Sequence, residues 1–313
     1  MRISANHPHN KAHSIDHLGE ARNYWWNDDF LALLAERMDW ADCTRAADIG
    51  CGRGLMTFHL ADFLPEGAEI FGFDIESAHL KVARQRAKKV QKRQKVSISF
   101  AEGDAHGLPY ETDDMDLTLC QTLLIHVPEP LSVLEEMKRI TRPGGWVVAM
   151  EPNNLVSQFM LDRYEQTDYD IQDVLGMMEV RMRCELGKKR LGEGYNSLGD
   201  VLPDLFQKVG LEDTQVWISD KAFSLIPPYD TKEQRLRVAE MIQWIEHGEG
   251  GFGYEDNLRY YLAGGGRKDD FGVYWHQISL YQQTLLQQLK DQTFISAGGN
   301  LMYIVAGRVP EEE

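Results

Sequence analysis

Between about residue 44 and residue 151 the chain alternates short apolar runs with longer stretches whose apolar positions recur at helical spacing. The runs at 45–50 (RAADIG), 69–74 (EIFGFD), 96–101 (VSISFA), 115–120 (MDLTLC) and 146–151 (WVVAME) predict five strands. Helices are predicted in the gaps, from Gly54 to Leu64, from Glu76 to Arg93 and from Pro130 to Thr141. Strand and helix in strict alternation point to βαβ units around a parallel sheet. The last of these helices meets Arg142-Pro143-Gly144-Gly145, a stop that should break it and turn the chain into the fifth strand.

Beyond Glu151 the rhythm changes. Leu155 to Leu191 reads as helical and Met-rich, Asn196 to Val209 as one more amphipathic helix, and 213–225 as a sixth strand. Residues 229–293 carry almost no strand signal, place Trp244, Tyr260, Tyr261, Tyr274, Trp275 and Tyr281 at helical spacings, and break at the glycines of 248–253 and 264–266. A closing run at 300–308 (NLMYIVAGR) predicts a strand that rejoins the sheet. The expected organisation is an N-terminal helical arm or lid (1–43), a ligand-binding core (44–152), a helical cap insertion (153–195), a continuation of the core (196–228), a second helical insertion (229–293) and a final strand with its tail (294–313). No internal repeat is visible.

Composition narrows the partners. A chain of 313 residues with 43% hydrophobic and 26% charged residues has the usage of an ordinary folded protein. Its net charge of -16 opposes nonspecific attraction to nucleic acid or to an anionic membrane surface, so neither is expected as a partner. One basic run, Lys81 to Lys95, crowds a single predicted helix and reads as a solvated face. Cys43, Cys51, Cys120 and Cys184 form no CxxC pair, which indicates neither a disulfide framework nor a zinc site. His7, His9, His13 and His17 lack a completing ligand set, so no metal is expected. With no apolar signal core and no long apolar stretch, a cytoplasmic protein is expected, monomeric or homodimeric.

The candidate chemistry gathers where strands end. Asp48-Ile49-Gly50-Cys51-Gly52-Arg53-Gly54 leaves the first predicted strand and opens a helix, so its glycines fall where a tight turn lets a ligand approach the backbone. Asp74 ends the second strand, where a carboxylate can accept both ribose hydroxyls of an adenosine, in charged hydrogen bonds worth about 1.5–3 kcal/mol each. Gly103-Asp104-Ala105 follows the third strand and offers a carboxylate to the exocyclic amine of adenine. A dinucleotide turn usually reads GxGxxG, whereas here the third glycine comes one residue early and Asp48 would set a negative charge near phosphates. An ammonium and sulfonium ligand suits it better.

DIGCGRG, Asp74, the GDA at 103–105 and the RPGG at 142–145 together resemble the ordered motifs of class I S-adenosylmethionine (SAM) dependent methyltransferases. The most similar-looking members are the ubiquinone/menaquinone biosynthesis methyltransferases and their bacterial kin, and the likeness runs over about residues 20–152. It implies an α/β, Rossmann-like sheet of seven strands, mostly parallel with the last antiparallel, flanked by helices and carrying helical cap insertions. It also implies SAM as cofactor and S-adenosylhomocysteine (SAH) as product. By the same resemblance Asp48 and Gly50 would line the methionine end, Gly52 and Gly54 would belong to the same cofactor-binding turn, Asp74 would hold the ribose and Asp104 and Ala105 the adenine, with Ile75 on the adenine face and Cys120 and Gln121 bordering the methyl group.

Methyl transfer from sulfonium is an in-line displacement, in which holding the nucleophile against the methyl carbon supplies about 7–11 kcal/mol. His126, past the fourth strand, is the candidate base, or else a locally packed polar residue. Glu151 and Asn153 follow the fifth strand and could bind substrate, orient the cap or cap the loop. Tyr24 could lay an aromatic face over the sulfonium. The expected reaction is methyl transfer to a small-molecule acceptor at O, N, S or C. A nicotinamide-dependent reductase and a noncatalytic SAM-binding regulatory protein are the competing readings.

Overall fold

The computed structural model describes residues 19–157, 171–248 and 253–311, so His7, His9, His13 and His17 lie outside the described residues. The chain divides into two compact units, a sheet unit (25–157, 188–222 and 299–311) and a helical unit (19–24, 171–187, 223–248 and 253–298).

Seven strands form one sheet: β1 (Arg45–Ile49), β2 (Glu69–Asp74), β3 (Ser97–Glu102), β4 (Met115–Gln121), β5 (Thr141–Pro152), β6 (Glu212–Ile218) and β7 (Met302–Arg308). Their order is β3-β2-β1-β4-β5-β7-β6, with β7 antiparallel to both of its neighbours and β1 to β5 parallel to one another. The five apolar runs became strands because helices cover both faces, which removes the polar alternation of a one-sided sheet. Ala46, Leu117, Leu119, Trp146, Val148 and Met150 face one apolar cluster with Phe30, Leu31 and Leu34 of α1 (Asp28–Arg37) and Met56, Phe58 and Leu60 of α2 (Leu55–Phe63). Ala47, Ile49, Cys120, Val147 and Ala149 face another, filled by Val133, Leu134 and Met137 of α4 (Pro130–Ile140) and Leu202 and Phe206 of α7 (Leu202–Val209). Between β2 and β3 runs α3 (Ser77–Gln94). Because β1 sits between β2 and β4, the chain leaves it in one direction and returns on its other side, the switch point at which open α/β sheets bind ligands.

Three expectations shift. The Arg142-Pro143-Gly144-Gly145 stop lies inside β5, where the register against β4 slips between Met115 and Leu117; a Cβ on Gly145 would stand 2.8 Å from the Asp116 carbonyl oxygen. The sixth strand ends at Ile218 because Phe223 and Leu225 bury in the helical unit instead. The helix expected from Asn196 starts at Leu202, after a short 3-10 turn (Gly199–Val201), since Ser197 pairs with Asn153 in an isolated bridge and Pro203 sits in the helix's first turn. The Met-rich stretch contains α5 (Asn154–Ser157) and α6 (Ile171–Arg190), with 158–170 outside the described residues.

In the helical unit, α8 (Lys232–His247) opens on a capping box between Thr231 and Gln234 and is followed by α9 (Tyr254–Ala263) and α10 (Lys268–Lys290). Leu225, Tyr229, Leu285, Leu289 and Phe294 make one apolar cluster; Val180, Tyr261, Phe271 and Ile278 make a second. No helix among the described residues is long and apolar enough to cross a membrane.

Candidate active site

The turn after β1 places three glycines at positive φ: Gly50 (72°), Gly52 (53°) and Gly54 (81°). The amides of Gly50 and Cys51 donate to the Phe73 carbonyl at 2.7 and 3.0 Å, which ties the turn to the end of β2. At Gly50 bare backbone is required twice over, by its φ and because a Cβ would stand 2.8 Å from Cδ1 of Leu123 in the loop after β4. Asp48 faces inward: it is 1% exposed and its Oδ2 accepts the Thr57 hydroxyl at 2.6 Å, so it braces α2 against β1. Burial pushes its carboxyl up to about 7, against the pull of the Thr57 hydrogen bonds.

Asp74 reaches back under the same turn. Its Oδ2 accepts the Gly52 amide at 2.7 Å and its Oδ1 the Glu76 amide at 2.8 Å. A carboxylate has about four lone-pair directions, so each oxygen keeps one for a further donor. Beside it Ile75, 49% exposed, presents an apolar surface at the strand's end. Asp104 is exposed, and both of its bonds from His106, from the backbone amide (3.0 Å) and from the ring Nδ1 (2.6 Å), fall on Oδ1. Partial desolvation pushes Asp104 up, but the His106 hydrogen bonds outweigh it and hold the carboxylate below its usual range. Ala105 is half-buried beside it.

At the end of β4, Cys120 is fully buried in the sheet's core, and burial pushes its thiol well up. Gln121 is half-buried and its Oε1 accepts the Trp26 indole N–H at 3.2 Å. The chain then turns through Thr122, at φ 51°, into a 3-10 turn (Leu124–His126) that carries the half-buried His126. Glu151 lies beneath this turn, wholly buried, its Oε1 accepting the amides of Leu123 (2.8 Å) and Leu124 (2.7 Å). Asn153 spans two partners, donating to Asp200 Oδ1 at 2.9 Å and accepting the Val156 amide at 3.1 Å. Tyr24 ends a 3-10 turn (Glu20–Tyr24) of the helical unit and is half-buried. The structure therefore gathers Gly50, Gly52, Gly54 and Asp74 around one turn, with Ile75 beside them. Asp104 and Ala105 follow β3, whose end pairs Glu102 with Asp74 in register. It also brings in Thr57, His106 and Leu123, whose roles depend on contacts that no local pattern announces. Among the described residues no cluster of three or more His, Cys, Asp or Glu side chains could hold a metal.

These groups fit SAM. Positive-φ glycines leave backbone open to the ligand, Asp74 keeps acceptor capacity for two hydroxyls, Ile75 offers an exposed apolar face, and Asp104 keeps Oδ2 for an amine. A family model described as a methyltransferase domain matches residues 47–149. A demethylmenaquinone methyltransferase of Shouchella clausii (strain KSM-K16) is 32% identical over 191 residues, covering 61% of this chain and 78% of that protein. The chain belongs to the class I SAM-dependent methyltransferases. A ubiquinone biosynthesis O-methyltransferase of Thiobacillus denitrificans (strain ATCC 25259 / T1) is 32% identical over 162 residues, covering 48% of this chain and 67% of that protein. An uncharacterized methyltransferase of Schizosaccharomyces pombe is 32% identical over 124 residues, and the chain spans 44% of its length. In fold, the chain is similar to the YcgJ protein from Bacillus subtilis, with a TM-score of 0.50 at 16% identity, covering 91% of this chain and 100% of that one. This methyltransferase uses SAM as its cofactor, and its seven-stranded sheet with β7 reversed is the one the sequence motifs implied.

Proposed function

We propose that this methyltransferase transfers the methyl group of SAM to a small-molecule acceptor, releasing SAH. The observation that supports this most is the order of groups along the C-terminal edge of the sheet: the glycine turn after β1, then Asp74 ending β2, then Asp104 after β3. Bound there, SAM supplies an electrophilic methyl carbon on sulfonium. The chain's own task is to hold an acceptor in line with that carbon and to exclude water. For an acceptor that must lose a proton, His126 is the base, in reach of the cofactor edge because the loop after β4 packs Leu123 on Gly50. In this reading acceptor specificity resides in the inserted segments that carry α6 and α8 to α10, the aromatic Tyr24 is the sequence's candidate for meeting the sulfonium, and Asn153 holds the entry to α5. The enzyme so read is cytoplasmic and monomeric or homodimeric, and the net charge of -16 supports the absence of nucleic acid or an anionic membrane surface as partner.

The relatives that act on demethylmenaquinone and in ubiquinone biosynthesis make a ring-hydroxylated quinol the first acceptor to try. Incubation of the full chain with methyl-labelled SAM and reduced benzoquinol or naphthoquinol precursors should move label into the organic product. His126→Ala should bind SAH as wild type while slowing turnover on a hydroxylated acceptor by about 10²-fold or more. Silence across quinols and a wide metabolite extract, with SAH binding intact, would turn the assignment toward a noncatalytic SAM-binding protein.

A further inference from the structure

We propose that Glu151 is a positioning residue: its buried carboxyl group accepts two consecutive backbone amides and holds the strained loop after β4 against the glycine turn of the SAM site. The loop is a costly structure. Thr122 is β-branched and sits at φ 51°, a conformation that costs about 1–3 kcal/mol and persists only where its surroundings over-determine it. Three successive amides supply that restraint from one strand end. Thr122 donates to the Met150 carbonyl at 2.9 Å, and Leu123 and Leu124 donate to Glu151 Oε1 at 2.8 and 2.7 Å. On the far side of the turn the Ile125 carbonyl accepts the Tyr195 amide at 3.1 Å and the Lys188 ammonium at 3.3 Å. The consequence reaches the cofactor turn through Leu123, whose side chain fills the space that a Cβ on Gly50 would need.

The chemistry of the carboxyl group fits an acceptor more than a substrate ligand. Glu151 is fully buried and its Oε2 has no hydrogen-bond partner, so nothing from solution meets it where it stands. Burial pushes the group up to about 8, against the pull of the Leu124, Leu123 and Ile125 amides and of Lys188. At neutral pH it is mainly a neutral acid, and what the loop uses is one carbonyl-like oxygen. Glutamine supplies the same oxygen; methionine supplies similar volume without it.

The role rests on the reading that this loop borders bound SAM, and amide exchange separates the two claims. Hydrogen–deuterium exchange of residues 122–126 and calorimetric titration with SAH are measured on wild type, Glu151→Gln and Glu151→Met. Glu151→Gln should keep the protection of Leu123 and Leu124 and bind SAH within about threefold of wild type, because the acceptor is retained. Glu151→Met should exchange those two amides at least about tenfold faster and weaken SAH binding at least about fivefold, with β1 and β4 amides unchanged. A folded Glu151→Met with wild-type loop protection overturns the proposal, as does a Glu151→Gln that fails as badly as Glu151→Met. Should Glu151→Met not fold, wild type decides: Leu123 and Leu124 amides must be as protected as the β4 core, and rapid exchange there overturns the role. Loop protection without any SAH binding would leave Glu151 as the loop's anchor but sink the cofactor reading of the site.

Discussion

Asp48 and Glu151 are both buried carboxyls, and both use one oxygen to hold a neighbouring segment in place: α2 through Thr57 in one case, the loop after β4 in the other. Their chemistry has a measurable sign. Asp48 is raised from 3.8 to about 7, so the folded state retains a proton that the unfolded state has already lost over that range. Its contribution is fully present below 3.8 and is lost as pH rises through 7. Asp48→Asn removes this titration, so chemical denaturation of both proteins should show the variant gaining stability relative to wild type as pH goes from 4 to 8. An unchanged difference across that range would mean that Asp48 is solvated and ionised. The sequence made Asp48 a ligand of the methionine end; what it could not show was that Thr57, nine residues on and in the first turn of α2, would take up its Oδ2. The positions of Asp74 and Asp104 were legible because each closes or follows a strand, and the structure places Asp74 at the end of β2 and Asp104 just after β3. Glu151 was legible as a residue at the right edge but not as an anchor, because its partners lie 27 and 28 residues upstream.

Elements were readable where both faces are covered. β1, β2 and β4 are near-continuous apolar runs, and their bounds fall within a residue of expectation. The sequence lost precision where tertiary contacts override local pattern: Phe223 and Leu225 extend an apolar alternation past Ile218, yet bury in a different unit. Helix packing in that unit carries the next prediction. At the crossing of α6 and α9, a Cβ on Gly187 would come 1.7 Å from the Tyr260 carbonyl oxygen, and one on Gly264 2.0 Å from the Arg183 carbonyl oxygen. Backbone cannot yield as a side-chain tip can, so the helices must separate. Gly187→Ala should therefore cost about 1–3 kcal/mol or more, read as a lowered thermal midpoint. The same substitution at Gly272, inside α10 with open space around it, serves as the control and should stabilise by up to about 1 kcal/mol.

For the molecule as a whole, charge and fold bear on what it can meet. The basic residues of α3 are exposed, but Arg93 pairs with Asp62, and Lys95, just past the helix, with Glu66, so the run is partly balanced by acidic neighbours. The sheet is wound so that the glycine turn and Asp74 come together at the switch point beside β1, with Asp104 at the same edge beyond β3. A ligand that binds this folded arrangement and not the unfolded chain should stabilise it by about 2.7 kcal/mol at a concentration a hundred times its Kd. The most direct test is calorimetric titration of SAH into wild type and Asp74→Ala. Wild type should bind SAH at one site per chain and ignore NADH, while Asp74→Ala should lose at least about tenfold in affinity, the loss expected of a carboxylate proposed to accept two ribose hydroxyls. Equal affinity in the two proteins, or binding of NADH in place of SAH, would contradict the account.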